Sequence, residues 1–537
     1  MKYTPFYSQQ FLNLQAKYHI SSLNAKIIDY MKLNDETIQS LNKMIFHDYD
    51  LFSEGDEVYE RIMEAIENEE KIVIYGDYDM DGILATTILV KAFSKLGVKV
   101  GYHIPNRFKD GYGLNVERVE QIAKKGYSLI ITVDNGISAF DAVEKAEELG
   151  VDVIITDHHT VGEDVPLAYA FLHTSLSPNY PFKPICGGMV AYKLAVKMLG
   201  KHDAYLFTLA ACTTISDMMP LRNENRAIVK KALQLMNTKH YPAFNKLLND
   251  PMKPITATSI GFEIAPKVNS AGRLPDLMNP NSCVQYFLNG ETDSQALDQF
   301  ALKIKNLNSK RQSMTNSAFN ELNKTIDPDL PYIFIYEHEI HEGLLGLLAA
   351  KFSNEYHKVA FVLNYDEANN IYKGSARSLP GFKLHEFLTS ACEDLEAFGG
   401  HDGAAGFSVK YDRIPSFEAK IKEAIEAASF EEEESQYLVL EDSDLSIKDI
   451  EGMRLLEPFG IDFEKPVFGL ENVTIVNQTI LKNNHLKLLC QKGNMQFSAL
   501  WFFHKELISQ STVTLIGDLS INEFRGKSIQ FMIKDIL

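Results

Sequence analysis

From Lys71 onward the chain repeats one pattern: a short apolar run, then a helical stretch, with carboxylates or imidazoles just beyond the run. Ile72-Val73-Ile74-Tyr75 reads as a buried strand and residues 82–96 as a helix. Residues 98–104 and 129–133 read as further strands, 139–149 as a helix and 151–156 as another strand. Strands alternating with helices of about 10–15 residues indicate βαβ units around a parallel sheet. In such sheets ligands sit outside the carboxyl ends of the strands. The polar residues that follow the runs are therefore expected at one edge.

Residues 1–70 read as mostly helical, and 187–250 as helical again. A longer polar helix over 302–322 carries Lys303, Lys305, Lys310 and Arg311. Asp327-Pro328-Asp329-Leu330-Pro331 is a breaker cluster that suggests a domain boundary. A second α/β block follows, then an acidic stretch. Short strand-like runs from about residue 467 to the end suggest a small β-barrel. The expected fold class is thus α/β: a parallel-sheet domain, a second α/β domain joined to it by helices, and a C-terminal β-barrel. The expected boundaries are 1–50 for an N-terminal helical extension, 51–225 for the first α/β domain and 226–330 for a helical connector. Residues 331–428 make the second α/β domain, 429–466 an acidic linker and helix, and 467–537 the barrel.

The five cysteines, Cys186, Cys212, Cys283, Cys392 and Cys490, are widely spaced with no C-x-x-C, which argues against a disulfide framework or a zinc ribbon. No signal peptide is readable and no apolar run approaches the roughly 18 residues of a membrane span, so a cytoplasmic protein without membrane contact is expected. Lys and Arg number 53 against 72 Asp and Glu, a net charge of −19. Taken alone, that disfavours non-specific coating of DNA. The acid is uneven, however: residues 429–451 hold nine acids and one lysine, and Glu431 to Glu434 read as a solvated linker face. Acids gathered around a metal would lower net charge without opposing nucleic-acid binding, so charge does not decide the partner.

Gly76-Asp77-Tyr78-Asp79-Met80-Asp81-Gly82 directly follows the first strand. Two such carboxylates about 4 Å apart repel by about 4 kcal/mol at an effective dielectric near 20, so the cluster needs protons, water or a cation. It is not a calcium-binding EF-hand: the twelfth loop position would be Ile88 instead of Glu, and a strand precedes it instead of a helix. Thr132-Val133-Asp134-Asn135-Gly136 ends another strand and Thr156-Asp157-His158-His159 a third. An Asp beside a His pair offers an imidazole ligand and an acceptor to orient it. Ser216-Asp217-Met218-Met219-Pro220-Leu221 is a fourth, weaker signal. Carboxylates with one or two imidazoles suit Mn²⁺ or Mg²⁺ better than Zn²⁺ or copper, and this many ligands suggests two ions about 3.5–4 Å apart.

Asp77-Tyr78-Asp79-Met80-Asp81-Gly82, Val133-Asp134-Asn135-Gly136, Asp157-His158-His159 and Ser216-Asp217 with Pro220-Leu221 resemble the motifs of the DHH phosphoesterases. Residues 103–108 (His-Ile-Pro-Asn-Arg-Phe) with Asp110-Gly111-Tyr112-Gly113 resemble the RecJ branch, single-strand-specific 5′→3′ exonucleases. So do Pro266-Lys267-Val268-Asn269-Ser270-Ala271-Gly272-Arg273, Lys373-Gly374-Ser375-Ala376-Arg377-Ser378 and Gly399-Gly400-His401 with Ala404-Ala405-Gly406. The last two mark the associated DHHA1 domain. Glu457-Pro458-Phe459-Gly460 and Ile521-Asn522-Glu523-Phe524 resemble the two ends of that branch's OB-fold. The sequence departs from the branch at Ser216, where Ala is usual, at Ile340, where Trp is usual, and at Ile461-Asp462-Phe463, where a Gly-Asn stretch is usual.

The resemblance implies that Asp77, Asp79, Asp81, Asp134, His158 and Asp217 are metal ligands and that His159 faces the scissile phosphate, with Asp157 orienting a histidine. It further implies a 5′-phosphate grip by Arg107, Arg273, Ser375 and Arg377; His401 would contact substrate near the metals or only shape its turn, and Tyr112 would stack on a base or pack within the protein. Trp501, Phe502, Phe503 and Phe524 divide between barrel core and base stacking, and Lys303, Lys305, Lys310 and Arg311 either line the DNA path or keep their helix soluble. The expected activity is 5′→3′ hydrolysis of single-stranded DNA to 5′-mononucleotides in repair and recombination. The expected partners are the 5′ end of the strand, a helicase and a single-strand-binding protein, with the enzyme a monomer. The alternatives are a DHH-family oligoribonuclease or nucleotide phosphatase acting on short substrates, or a scaffold built on a decayed nuclease.

Overall fold

The computed structural model describes residues 2–111, 113–336, 339–430, 434–482, 485–523 and 526–537. Tyr112, Glu431 to Glu433 and Phe524 lie outside them.

The first α/β domain is built on five parallel strands, ordered Gly101–His103, Ile72–Tyr75, Leu129–Val133, Asp152–Thr156 and Ala170–Leu172. The two central apolar runs, Ile72–Tyr75 and Leu129–Val133, are buried along their whole length, as a sheet covered on both faces requires. The helix Met80–Lys95 follows the first strand and packs against helices Gly187–Leu199 and Ala204–Ser216. The second strand in the chain lies on one side of the first and the third on the other, so the winding reverses between Ile72–Tyr75 and Leu129–Val133. A crevice opens at such a reversal, beyond the strands' carboxyl ends.

Helices carry the chain to the second domain, ending in the 28-residue helix Gln295–Leu322. The second domain is a five-stranded mixed sheet, in the order Leu395–His401, Ala404–Lys410, Ile371–Arg377, Val359–Asp366 and Tyr332–Ile335, with its own apolar cluster around Phe361, Phe407 and Phe417. The C-terminal strands Phe468–Leu481, His485–Lys492, Met495–Trp501, Ser528–Ile536 and Thr512–Asn522 pair in that order, and the last pairs back to the first. That ring is a closed five-stranded barrel. Its core residues, among them Phe468, Leu488 and Phe531, are continuous with the core of the first domain.

Two segments differ from the sequence expectation. Lys2–Phe6, placed in a helical extension, is a strand that pairs in parallel with Glu434–Val439, itself placed in the acidic linker. Glu434–Val439 in turn pairs with the first barrel strand. The partners are more than 400 residues apart in sequence, so no local period reveals them. Pro5 is tolerated because Lys2–Phe6 is the outermost strand of the sheet. The strand expected over 98–104 is shorter, Gly101–His103.

The N-terminal region is also tied to the first domain by charge. Lys193 and Glu224 are fully buried 2.9 Å apart. Lys193 also donates to the His47 carbonyl at 2.6 Å, and Glu224 accepts from the His47 N–H at 3.2 Å and the Tyr180 hydroxyl at 2.6 Å. Removing one member of a buried pair strands the other's charge, at a cost of about 3–5 kcal/mol. Lys193→Met should therefore lower stability by about that much in chemical denaturation. The double variant Lys193→Met with Glu224→Leu should recover a large part of the loss.

Candidate functional site

The four motifs meet at the crevice. Asp77 follows the first strand and lies buried. Asp79 caps the helix Met80–Lys95, its Oδ1 accepting from the N–H groups of Asp81 at 2.8 Å and Gly82 at 3.1 Å. Asp81 sits in the first turn of that helix and crosses to the start of another. Its two carboxylate oxygens accept from Gly187 at 2.8 Å and Gly188 at 2.7 Å, the first N–H groups of the helix Gly187–Leu199. Those donors and the helix's positive end suit a carboxylate. Only glycine fits at 187, since a Cβ there would come within 2.5 Å of the Asp134 Cβ.

Asp134 extends its strand by one hydrogen bond, from its N–H to the Thr156 carbonyl at 2.9 Å, and adopts a left-handed φ of 62°. That conformation is uncommon outside glycine and turns the carboxylate into the crevice. Its Oδ1 lies 3.0 Å from His158 Nε2, which is also 3.4 Å from Asp217 Oδ2 and 3.8 Å from Asp81 Oδ2. Asp217 comes from outside the sheet, at the C-terminal end of the helix Ala204–Ser216. One ligand atom each from Asp81, His158 and Asp217 lies within 4.8 Å of the others; the same holds for Asp77, Asp79 and Asp134, and for Asp134, His158 and His159. Two trios without a common member are enough for two cations.

The electrostatics are those of a cation site. Burial first, then the neighbouring carboxylates, pushes Asp81 up to about 7 and Asp217 up to about 9, and raises Asp77 and Asp134 well above the ordinary range. Oδ1 of Asp77 and Oδ2 of Asp217 are buried without a hydrogen-bond donor. Buried, unpartnered, acceptor-only oxygens that crowd one another are what a divalent cation satisfies.

Asp157 does a different job. Its Oδ1 accepts from the His158 N–H at 2.7 Å, the His159 N–H at 3.2 Å and His159 Nδ1 at 2.7 Å, while Oδ2 accepts from the Ile137 N–H at 3.0 Å. Burial works to raise its pKa, but the His159 hydrogen bond and charge outweigh it and hold it at about 2. His159 is the counterpart: burial disfavours its charge, yet Asp157 and the acids beyond it lift it to about 9. His173, fully buried and not singled out in the sequence, binds the His159 carbonyl through Nε2 at 2.9 Å.

A second cluster, of opposite sign, borders the first. Arg107 lies over the Tyr78 ring at 5.4 Å. Arg273 ends the helix Ala265–Arg273, and burial, then the charges of Arg107, Arg311 and Arg377, push it down to about 10 against the pull of Asp79. Arg377 ends its strand, donating to the Ala376 carbonyl at 2.8 Å and to Ser375 Oγ at 3.4 Å. Among the described residues none of these four arginines forms an ion pair. The sequence had grouped Arg107, Arg273, Ser375 and Arg377. Arg311, from the long helix, was open between lining a DNA path and keeping that helix soluble. The domains close around this cluster: Met80 N–H donates to Asn269 Oδ1 at 2.7 Å, and a Cβ on Gly343 would overlap the Arg273 carbonyl.

Other expected residues make only local contacts among the described residues. His401 is exposed at the end of its strand, its Nδ1 accepting from the Gly403 N–H at 3.2 Å, and no hydrogen bond or ion pair among the described residues joins it to the acidic cluster. In the barrel Trp501 stacks on His504 with ring centroids 3.8 Å apart. Phe502 and Phe503 are exposed, both edge-on to His485.

Residues 71–216 match the N-terminal domain of the DHH family and residues 329–427 the DHHA1 domain, which makes the two α/β domains a DHH-family core. Residues 438–535 match the RecJ OB domain. The single-stranded-DNA-specific exonuclease RecJ of Bacillus subtilis (strain 168) is 34% identical over 97% of this chain and 69% of its own length. That of Haemophilus influenzae is 31% identical over 88% of each chain. The crystal structure of RecJ in complex with Mn²⁺ from Thermus thermophilus matches with a TM-score of 0.84 at 26% identity, covering 100% of this chain and 78% of that one. The chain belongs to the RecJ family.

The pKa shifts fix how the chelated protein responds to pH. Asp81 and Asp217 bind protons more tightly folded than unfolded, so their deprotonation destabilises the fold as pH rises above about 4 and up to about 9. His159 acts in the same direction: its contribution is complete below about 6.5 and lost as pH rises through about 9. In the presence of a chelator, thermal midpoints should fall between pH 6 and 9, and Asp217→Asn should flatten the fall.

Proposed function

We propose that this chain degrades single-stranded DNA from its 5′ end to 5′-mononucleotides. The observation that carries the reading is the adjacency of the two clusters: buried acids suited to divalent cations, bordered by arginines suited to a terminal phosphate. Asp77, Asp79, Asp81, Asp134, His158 and Asp217 would hold two Mn²⁺ or Mg²⁺ ions. When bound, such a pair supplies a nucleophilic water at neutral pH and neutralises charge on the phosphate.

The remaining steps fall to the protein. Asp157 holds His159 protonated, and the imidazolium would donate through its other ring nitrogen to a phosphate oxygen as charge builds there. Arg107, Arg273 and Arg377, with Ser375, would grip the 5′-phosphate by charge-assisted hydrogen bonds and so set how far into the strand the cut falls. Water adds to phosphorus, the 3′-oxygen leaves and takes a proton, and the shortened strand carries a new 5′-phosphate. The same arginines can then hold that group, which suits repeated removal of single nucleotides.

One chain carries all four acidic segments and both sides of the arginine cluster, which supports action as a monomer. Unpaired 5′ ends would come from a helicase and be kept open by a single-strand-binding protein. Four of the five cysteines are buried and all five are free thiols, in keeping with a reducing, cytoplasmic setting. Among the described residues no helix is long and apolar enough to cross a membrane.

End-labelled oligomers test the reading. Asp134→Ala should abolish hydrolysis in Mn²⁺ and leave single-strand binding largely intact; near-normal turnover would overturn the ligand assignment. Arg377→Ala should cost about 1.5–3 kcal/mol, roughly tenfold or more in kcat/KM, on 5′-phosphorylated strands and much less on 5′-hydroxyl strands. A preference for dinucleotides over long strands would place the enzyme with the short-substrate members of the wider family.

A further inference from the structure

One buried cation takes no part in either cluster. Arg226, 6% exposed, forms no ion pair among the described residues. Its Nη1 donates to the Pro458 carbonyl at 2.6 Å, and its Nη2 to the Leu456 and Glu457 carbonyls at 2.7 and 3.2 Å. The guanidinium carbon lies 3.8 Å from the centre of the Phe463 ring. A buried guanidinium is tolerated when its charge is spread over carbonyl oxygens and a ring face. Everything that does so here belongs to one strap, residues 456–463, through which the chain enters the barrel.

The strap also grips the segment that leaves Asp217. The Ile461 carbonyl accepts from the Leu221 N–H at 2.7 Å. Gly460 lies so close that a Cβ would come 2.7 Å from Leu221 Cδ1, and Arg222 pairs with Asp462 at 3.4 Å. Asn225, next to Arg226, donates to the Pro220 carbonyl at 3.2 Å.

Asp217 needs such support more than Asp79, Asp81 or Asp157 do. Asp79 and Asp81 each accept two backbone N–H bonds and Asp157 accepts three, but no hydrogen bond to the Asp217 carboxylate is present among the described residues. His158 Nε2 faces its Oδ2 at 3.4 Å, and its direction is otherwise set by its backbone. That backbone is anchored upstream by the helix, through the Asp217 N–H to the Thr213 carbonyl at 2.9 Å. Downstream it passes through Met218, in a left-handed conformation with φ 54°, before reaching the strapped residues Pro220 and Leu221.

We propose that Arg226 is a positioning residue for the Asp217 carboxylate, acting through the 456–463 strap, so that the seating of the barrel sets part of the cation affinity of the acidic cluster. The proposal rests on the reading of Asp217 as a cation ligand.

Mn²⁺ titration of the metal-free full-length protein, followed by the electron paramagnetic resonance of free Mn²⁺, tests it without turnover. Losing a residue that orients a ligand typically weakens metal binding by about 10–100-fold, so R226Q should lose about tenfold at one of two sites. R226K, which keeps the charge but not the fork, should lose as much. D217N should also weaken binding, and D217N with R226Q should bind no worse than D217N, because the two act on one group. G460A, which pushes on Leu221 from the strap side, should weaken binding in the same direction and decides the matter if the Arg226 variants do not fold. Binding within twofold of wild type in the folded Arg226 variants, or in G460A where it decides, overturns the proposal, as does a double variant whose loss is the product of the two single losses. Wild-type binding by D217N would strike the ligand assignment itself, and is thereby distinguished from a failure confined to Arg226.

Discussion

Five carboxylates drawn together at the reversal of a parallel sheet set the terms for the rest of the molecule. At about 4 Å and an effective dielectric near 20 each charged pair repels by about 4 kcal/mol, so an assembly of Asp77, Asp79, Asp81, Asp134 and Asp217 works against the fold that makes it. The structure answers with backbone N–H groups wherever chain geometry allows: two on Asp79 and two on Asp81, the latter from the positive end of a second helix. Where it has no donor to give, at one oxygen each of Asp77 and Asp217, the charge is left for a cation. The left-handed backbone at Asp134 belongs to the same balance, as conformational strain accepted to aim a ligand.

The opposite charge is equally local. A chain with net charge −19 nonetheless gathers four arginines without ion pairs beside its most acidic point. They come from the first domain, the connector helices and the second domain, so the cluster exists only while the domains are closed on one another. The close packing of Asn269 on Met80 and of Gly343 on Arg273 holds that closure. On the proposed reading, a strand end held by the arginines would lie between the domains with its next phosphates toward the acids, and the order of the two clusters would set the polarity of degradation.

Most of the acidic cluster was legible in the sequence because its parts are local: a carboxylate or imidazole placed just after an apolar run must land at the sheet edge. Asp217 was weaker because it ends a helix, where no period of two points at it. The arginine group was read as far as its motifs ran. Arg311 was not, since a basic residue on a polar helix looks the same whether it faces solvent or a pocket. Lys2–Phe6 was misread as helical because its pairing partner, Glu434–Val439, lies at the other end of the chain. His401 stands exposed at the end of a hairpin strand, where its glycine-rich setting fixes a turn and leaves its substrate contact a matter for the motif alone.

The barrel is the part whose role the sequence left least defined, and its attachment narrows it. Its core is continuous with that of the first domain, and the N-terminal strand runs alongside it through Glu434–Val439. A module tethered only to capture substrate would not need a strap whose carbonyls hold a buried guanidinium and whose Ile461 meets the segment next to Asp217. Exposed Phe502 and Phe503, set against His485, still give it an aromatic surface on which bases can stack. Both features belong to one module: its aromatic face is exposed, and its strap meets the segment that follows Asp217.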